Sequence, residues 1–263
     1  MKILGVIPAR MAATRFPNKP MKPILGIPMV GHCYLRSKIC ISMDEVYVAT
    51  CDQAIIDYIE GIGGKAIMTS DVHERATERT AEALLNIEAL LKDPQFDIIV
   101  MIQGDEPLVD PEMINEIVRP LLKGDKMVSN LMVSLTTEEE INSPNNVKVV
   151  MDLNKNALYM SREPIPSREK YKGQINYFRQ LGLIAFTREA LLKFVALKTT
   201  TLEIIESVDM NRFLEHGIPI HMEETKFEVD AVDTLEDLVR VEEKMKADKL
   251  YISYKAVATT SIL

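Results

Sequence analysis

An α/β fold with a mostly parallel central sheet is the class this sequence predicts, and three observations carry it. Apolar strand-like runs, "KILGVIP", "EVYVAT", "KAIMT" and "FDIIVMIQ", alternate with helical patterns around 29–42, 52–61 and 77–92, the order of repeated strand-helix-strand units. Polar stretches fall where strands end, "PARMAATRFPNK" after the first and "QGDEP" after the fourth, and such sheets gather ligands at the carboxyl ends of their strands. The chain of 263 residues, 47% hydrophobic, can fill the core of one large domain or of one domain with a substantial insertion. Helices are expected on both faces of the sheet.

Beyond the fourth strand, "VDPEM" opens a helix with Asp110 as N-cap and Pro111 at the first helical position. The pattern then changes. Strand-like "MVSNLMVSL", "NNVKVVMD" and "RQLGLIAF" are separated by "SREPIPSREKYKG", whose prolines and charges read as a long exposed loop or a hairpin excursion. About 125–225 is expected to form a second lobe within a single 1–263 domain, against a core of about 1–124 plus 226–247. A helix is expected from about 203 to 216, then the strand-like "IPIHMEE". In "VDAVDTLEDLVRVEEKMKA", Thr234 and Asp237 form a capping-box-like start for a last helix. The tail 248–263 carries no recognisable signal.

Composition excludes several functions. A formal charge of -8, with basic residues scattered among an excess of acids, argues against nucleic acid. No apolar run approaches the roughly 20 residues of a membrane helix, and the first residues enter a strand without the regions of a signal peptide, so a cytoplasmic location is expected. Cys33, Cys40 and Cys51 lack metal-type spacing and read as reduced packing residues.

The loop "PARMAATRFPNK" has neither the spacing of a P-loop nor that of a dinucleotide site, so its cations must do more of the work. Arg10, Arg15 and Lys19 could hold a triphosphate and stabilise charge moving to a leaving pyrophosphate, or they could form a solvated basic loop. In "IVMIQGDEPLV", Asp105 and Glu106 follow a strand that reads as buried on both faces, where carboxylates need a cleft or a cation, although a simple turn also explains Gly104 and Pro107. Asp233 stands at a comparable boundary. Thr234 can cap the helix alone, which leaves Asp233 available to share one Mg²⁺ with Asp105.

Taken together, "IPAR", "TRFPNKP", "QGDEP", "NNVKVVMD", "ALYMSREPIP", "RQLG", "LEIIES" and "VDTLEDL" make the chain resemble, in order and over nearly its whole length, the CMP-Kdo synthetases, or 3-deoxy-manno-octulosonate cytidylyltransferases. The resemblance implies a Rossmann-like nucleotidyltransferase fold with a smaller acceptor-binding and dimerisation lobe, usually in a homodimer. It implies transfer of CMP from CTP to an acidic sugar, foremost Kdo, with release of pyrophosphate, for lipopolysaccharide or surface-polysaccharide synthesis. By position, Pro8, Ala9, Arg10, Arg15 and Lys19 match the residues around the CTP phosphates. Thr77 and Arg79 fall in a loop beside the nucleotide, where a plain helix start is the alternative. Gln103 and Asp105 match the reaction centre, Asp105 and Asp233 the magnesium pair, and Arg10, Lys19, Asp105 and Asp233 the catalytic set. Gln103, Arg162, Arg179, Gln180, Ile184, Glu206, Asp209 and Met210 match the acceptor side.

That side departs most from the family pattern. The family's R-H-L-G-I-Y-A-Y reads "RQLGLIAF", so Gln180 replaces His while Ile184 and Phe186 replace Tyr. L-E-Q-L-R reads "VDMNR", putting Asp209 for Glu and Met210 for Gln, and the S-G before T-[DE]-R has become Arg75 and Ala76. Upstream, Ala13 replaces Ser and Asn18 replaces Gly. A pocket with fewer polar groups pairs fewer sugar hydroxyls, so a nonulosonate, an amino analogue of Kdo or a phosphonate is an alternative acceptor. The acceptor stays anionic, with Arg162 and Arg179 to meet it. A second alternative is a nucleotide-binding partner protein without catalysis, against which the intact Lys19, Asp105 and Asp233 speak.

Overall fold

The computed structural model describes residues 1–12, 16–92 and 95–260, which divide into two compact units, 1–115 with 228–263, and 116–227. The chain leaves the first unit inside a helix and not at the loop near 125.

In the first unit, strand β1 (Ile3–Pro8) is followed by a 3-10 turn over Lys19–Met21, a small hairpin of β2 (Pro23–Ile24) and β3 (Ile27–Pro28), and helix α1 (Met29–Lys38). Strand β4 (Glu45–Thr50), α2 (Gln53–Gly61), β5 (Ala66–Met68), α3 (Ala76–Leu91) and β6 (Ile98–Met101) continue the alternation read from the sequence. Here the sheet order is β6-β1-β4-β5, with every neighbouring pair parallel. Nearly all of β1 and the whole of β6 are buried, as befits parallel strands covered on both faces. From β1 the chain steps outward to β4 and β5, then returns to pair β6 on the other side of β1. The strand order therefore reverses between β1 and β6, and the loops after these two strands open side by side, the place where open parallel sheets bind ligands.

Helix α4 (Pro111–Leu122) crosses into the second unit. Its start is capped as expected, Glu112 N–H donating to Asp110 Oδ1 at 2.8 Å. The second unit holds β7 (Val128–Leu135), α5 (Glu138–Asn142), β8 (Lys148–Met151), β9 (Ala157–Ser161), β10 (Tyr177–Thr187), α6 (Arg188–Ala196), α7 (Thr201–Glu206), α8 (Asn211–Glu215) and β11 (His221–Glu224). Strand β7 lies between antiparallel β10 and parallel β11, and β8 pairs antiparallel with both β10 and β9. The helix expected over 203–216 is two helices, because Ser207 takes a left-handed conformation (φ 51°) that a continuous helix does not allow. The charged stretch 162–173 forms no strand.

The chain returns to the first unit in α9 (Leu235–Lys246) and α10 (Lys249–Thr260). The capping box is present: Thr234 Oγ1 accepts from Asp237 N–H at 3.1 Å, and Asp237 Oδ2 accepts from Thr234 N–H at 2.9 Å. The tail without a signal is thus helical through 260. An apolar cluster of Ile24, Met29, Val232, Val241 and Met245, with Phe16, Leu25, Leu108, Leu238 and Tyr251 packed against it, joins the amino-terminal hairpin to α9 and α10. This core brings the last segment back to the first loop.

Candidate active site

The loops after β1 and β6, with the turn before α9, enclose a cleft of about 310 Å³ lined by Pro8, Ala9, Arg10, Phe16, Lys19, Gln103, Gly104, Asp105 and Asp233. Each wall has a local cause. The loop after β1 is tied down by Met11 N–H, which donates to Asp52 Oδ2 at 2.8 Å. Asn18, at φ 58°, turns the chain into the 3-10 turn that carries Lys19. Asn and Gly are the residues that tolerate such a φ, which explains why Asn stands where the family pattern has Gly.

Gly104 is small for a steric reason. A Cβ there would meet the Pro8 carbonyl oxygen at 2.8 Å, so only glycine lets the β6 loop approach the β1 loop this closely. The sequence reading assigned this residue only to a turn. Asp233 is placed by a backbone bond, Val232 N–H to the Asp105 carbonyl at 2.9 Å.

At the centre Lys19 Nζ donates to Asp105 Oδ2 at 2.7 Å and to Asp233 Oδ1 at 3.0 Å. The lysine side chain is 14% exposed and the two carboxylates 29% and 43%. Burial alone would favour the neutral amine, but Asp105 and then Asp233 outweigh it and raise its pKa above the ordinary value, so the ammonium is retained at neutral pH. Thr234 caps α9 together with Asp237, and the Asp233 carboxylate takes no part in the cap, accepting instead from Lys19 Nζ.

Two other expected site residues of this unit, Thr77 and Arg79, are not among those lining the cleft. Thr77 and Arg79 are buried, and Arg79 is spent on the preceding loop, with Nη1 donating to Thr69 Oγ1 at 2.5 Å and to the Ser70 carbonyl at 3.0 Å. Arg10 is exposed at the rim, its Nη1 donating to the His73 carbonyl at 3.3 Å. Arg15 lies outside the described residues.

Apart from Gln103, which lines the cleft, the residues expected on the acceptor side belong to the second unit. Glu206 accepts from Tyr159 Oη at 2.7 Å, Ser161 Oγ at 2.8 Å and Arg162 N–H at 2.8 Å, and these bonds outweigh burial to hold its carboxyl below the usual range. Arg162 returns Nε to the Glu206 carbonyl at 2.6 Å and Nη1 to the Pro144 carbonyl at 2.8 Å. Arg179 donates to Asn146 Oδ1 at 3.2 Å. The buried Lys148, not singled out from sequence, ties the same loop through the carbonyls of Ser143, Asn146 and Arg162. Gln180 Nε2 donates to Asn130 Oδ1 at 2.9 Å beside the irregularity in β10, where Asn130 Nδ2 also meets the Leu181 and Leu183 carbonyls. Asp209 is half-buried. Ile184 and Met210 are 2% and 1% exposed and Phe186 is fully buried, so as they stand these side chains offer no surface to a ligand.

The fold is that of the nucleotidyltransferases. A solved CMP:2-keto-3-deoxy-manno-octonic acid synthetase complexed with CTP superposes with a TM-score of 0.85 at 32% identity, covering 94% of this chain and 99% of that one. A glucose-1-phosphate thymidylyltransferase structure from Bacillus anthracis shares the fold alone, at TM-score 0.66 and 16% identity over 94% of this chain and 96% of its own. The family model described as cytidylyltransferase matches residues 4–227. A 3-deoxy-manno-octulosonate cytidylyltransferase of Trichlorobacter lovleyi is 42% identical over 94% of this chain and 99% of its own length, and one of Fusobacterium nucleatum 40% identical over 96% and 100%. The chain belongs to the 3-deoxy-manno-octulosonate cytidylyltransferase, or CMP-Kdo synthetase, family.

Proposed function

We propose that the protein transfers CMP from CTP to Kdo and releases pyrophosphate. The observation that carries this reading is the meeting of Lys19, Asp105 and Asp233 in the cleft at the sheet's reversal point, in a chain about 40% identical over its length to cytidylyltransferases named for that acceptor. Arg10 and Lys19 bind the triphosphate, Arg10 with a two-pronged guanidinium and Lys19 as a compact charge that remains with the phosphates as pyrophosphate leaves. Pro8, Ala9 and Gln103 complete the nucleotide side. Arg15 belongs to the same loop and is assigned to the phosphates by the family pattern.

Asp105 and Asp233 are suited to hold Mg²⁺. No group of three or more candidate ligands occurs among the described residues, but two carboxylate oxygens close enough to share one ammonium can share one hard cation, whose other ligands are water and phosphate oxygens. Magnesium bound there would lower the pKa of the attacking hydroxyl and offset the charge that develops on phosphorus oxygens. The protein's own part is to align the nucleotide for in-line attack, with no covalent intermediate.

Kdo is favoured over the other sugar acids because three of the four residues that prompted an altered acceptor, Ile184, Phe186 and Met210, are buried, and a polar group lost from a buried position leaves no sugar hydroxyl unpaired. The fourth, Gln180, is half-buried and donates to Asn130. The family pattern assigns the acceptor's carboxylate to Arg162 and Arg179, whose guanidinium groups here bond the Glu206, Pro144 and Ser207 carbonyls and Asn146 Oδ1. A homodimer in the cytoplasm, supplying activated sugar for lipopolysaccharide synthesis, is the setting this reading implies, and no described helix is long and apolar enough to cross a membrane. Pyrophosphate release from CTP with Kdo, a nonulosonate, an amino analogue and a phosphonate tests the proposal. A kcat/KM for Kdo of roughly 10⁴ M⁻¹s⁻¹ or above, the range of ordinary enzymes, is expected. A higher value for another acid would move the assignment to that acid, and no release with any of them would overturn it.

A further inference from the structure

Glu82 lines no part of the cleft, yet it organises the loop that reaches Arg10. Residues 69–75 join β5 to α3, and Glu82 projects from α3 back to them. Its two oxygens accept from Ser70 N–H at 3.0 and 3.1 Å, and Oε2 also accepts from His73 Nε2. Asn86 Nδ2 approaches Oε1 at 3.5 Å. Burial opposes the charge, but the Ser70 N–H and His73 outweigh it and hold the carboxyl below its ordinary range, so Glu82 stays ionised at neutral pH.

The loop's carbonyls are taken by a second side chain of the same helix. Besides its bonds to Thr69 and Ser70, Arg79 Nη2 donates to the His73 carbonyl at 3.4 Å. One helix therefore grips the loop by its donors through Glu82 and by its acceptors through Arg79. The His73 carbonyl has a further donor, Arg10 Nη1 at 3.3 Å, and Arg10 is on the cleft wall. An exposed arginine samples many rotamers, and ordering it costs free energy when a ligand binds.

We infer that Glu82 is a positioning residue for the nucleotide: by fixing Ser70 and His73 it holds the His73 carbonyl where it orients the Arg10 guanidinium toward the triphosphate. The inference rests on CTP being the nucleotide. It predicts a change in nucleotide binding with little change in the chemical step, because Glu82 touches neither substrate.

The test is calorimetry with CTP on the full chain, alongside steady-state kinetics for both substrates. Glu82→Ala should raise the Kd and KM for CTP about tenfold, with kcat and the acceptor KM within about threefold of wild type. Glu82→Gln keeps an oxygen for Ser70 N–H and should fall between the two. In an Arg10→Ala background the Glu82 substitution should add less than about twofold, since residues acting as one unit are not additive. Unaltered CTP affinity in Glu82→Ala overturns the inference, as does an equal effect with and without Arg10. If Glu82→Ala does not fold, Glu82→Gln with and without Arg10→Ala decides by the same criterion. Wild-type protein that fails to bind CTP overturns the functional proposal and this inference together, whereas normal wild-type binding with an unaffected variant overturns this inference alone.

Discussion

Asp105 and Asp233 both accept from one ammonium, that of Lys19, at 2.7 and 3.0 Å. Replacing either by Asn keeps the shape and removes half of the anionic set, so kcat should fall at least about a hundredfold while the fold persists, as expected when charge stabilisation in the transition state is lost. Near-normal turnover at saturating Mg²⁺ in Asp105→Asn or Asp233→Asn would remove that carboxylate from the site. Gly104 is constrained by distance alone. Gly104→Ala sets a Cβ 2.8 Å from the Pro8 carbonyl, and the backbone shift needed to relieve it should cost about 1–3 kcal/mol. Because the shift moves Gln103 and Asp105 as well, a melting curve and a turnover assay should both register it. An unchanged melting temperature would show that the two loops can separate freely.

At the scale of elements, α10 is held to α1 by polar contacts inside an apolar setting. Arg36, 2% exposed, donates Nη1 to Asp248 at 2.9 Å, Nε to the Val109 carbonyl at 2.7 Å and Nη2 to the Leu108 carbonyl at 3.3 Å, joining α1, the β6 loop and the start of α10. His32 is fully buried, with Nε2 donating to the Ile24 carbonyl at 2.9 Å and Nδ1 accepting from Tyr254 Oη at 2.8 Å. Burial dominates and lowers its pKa to about 4; the Ile24 carbonyl and Asp248 act the other way and Arg36 adds to the lowering. The folded state thus prefers the neutral ring. Its contribution is complete above the ordinary value of 6.5 and is lost as pH falls from 6.5 toward 4, on the order of 3 kcal/mol in all. Melting temperatures across that window should fall more steeply for the wild type than for His32→Gln, and parallel curves would exclude His32 as the cause. Tyr254→Phe should cost about 1–3 kcal/mol at pH 7 by leaving Nδ1 without its donor.

For the whole molecule, ligand binding to the native state alone raises its melting temperature. CTP with Mg²⁺ should therefore stabilise the protein more than UTP, ATP or GTP at equal concentration. The preference for cytosine comes from the family and from no contact described above, and equal stabilisation by ATP would count against the assigned base.

Much of this protein was legible in its sequence because the signals were local. The buried strands, the Asp110 cap, the Thr234 and Asp237 box and the cation-rich first loop each depend on residues within a few positions, where side-chain period and capping chemistry act directly. The co-linear motifs identified the family. The break at Ser207 was hidden because "LEIIESVDMNR" keeps a helical pattern across a left-handed residue, and α10 was hidden because its partners, His32 and Arg36, are more than 200 positions away. Ile184 and Met210 read in the sequence as pocket residues and are buried, since a residue's type does not say whether it faces a ligand or a core. Only the tertiary structure brought Lys19 onto carboxylates 86 and 214 residues distant. Such meetings are decided by the reversal of strand order between β1 and β6 and by the apolar core that returns α9 to the first loop, which are cooperative properties of the packed chain and of no segment in it.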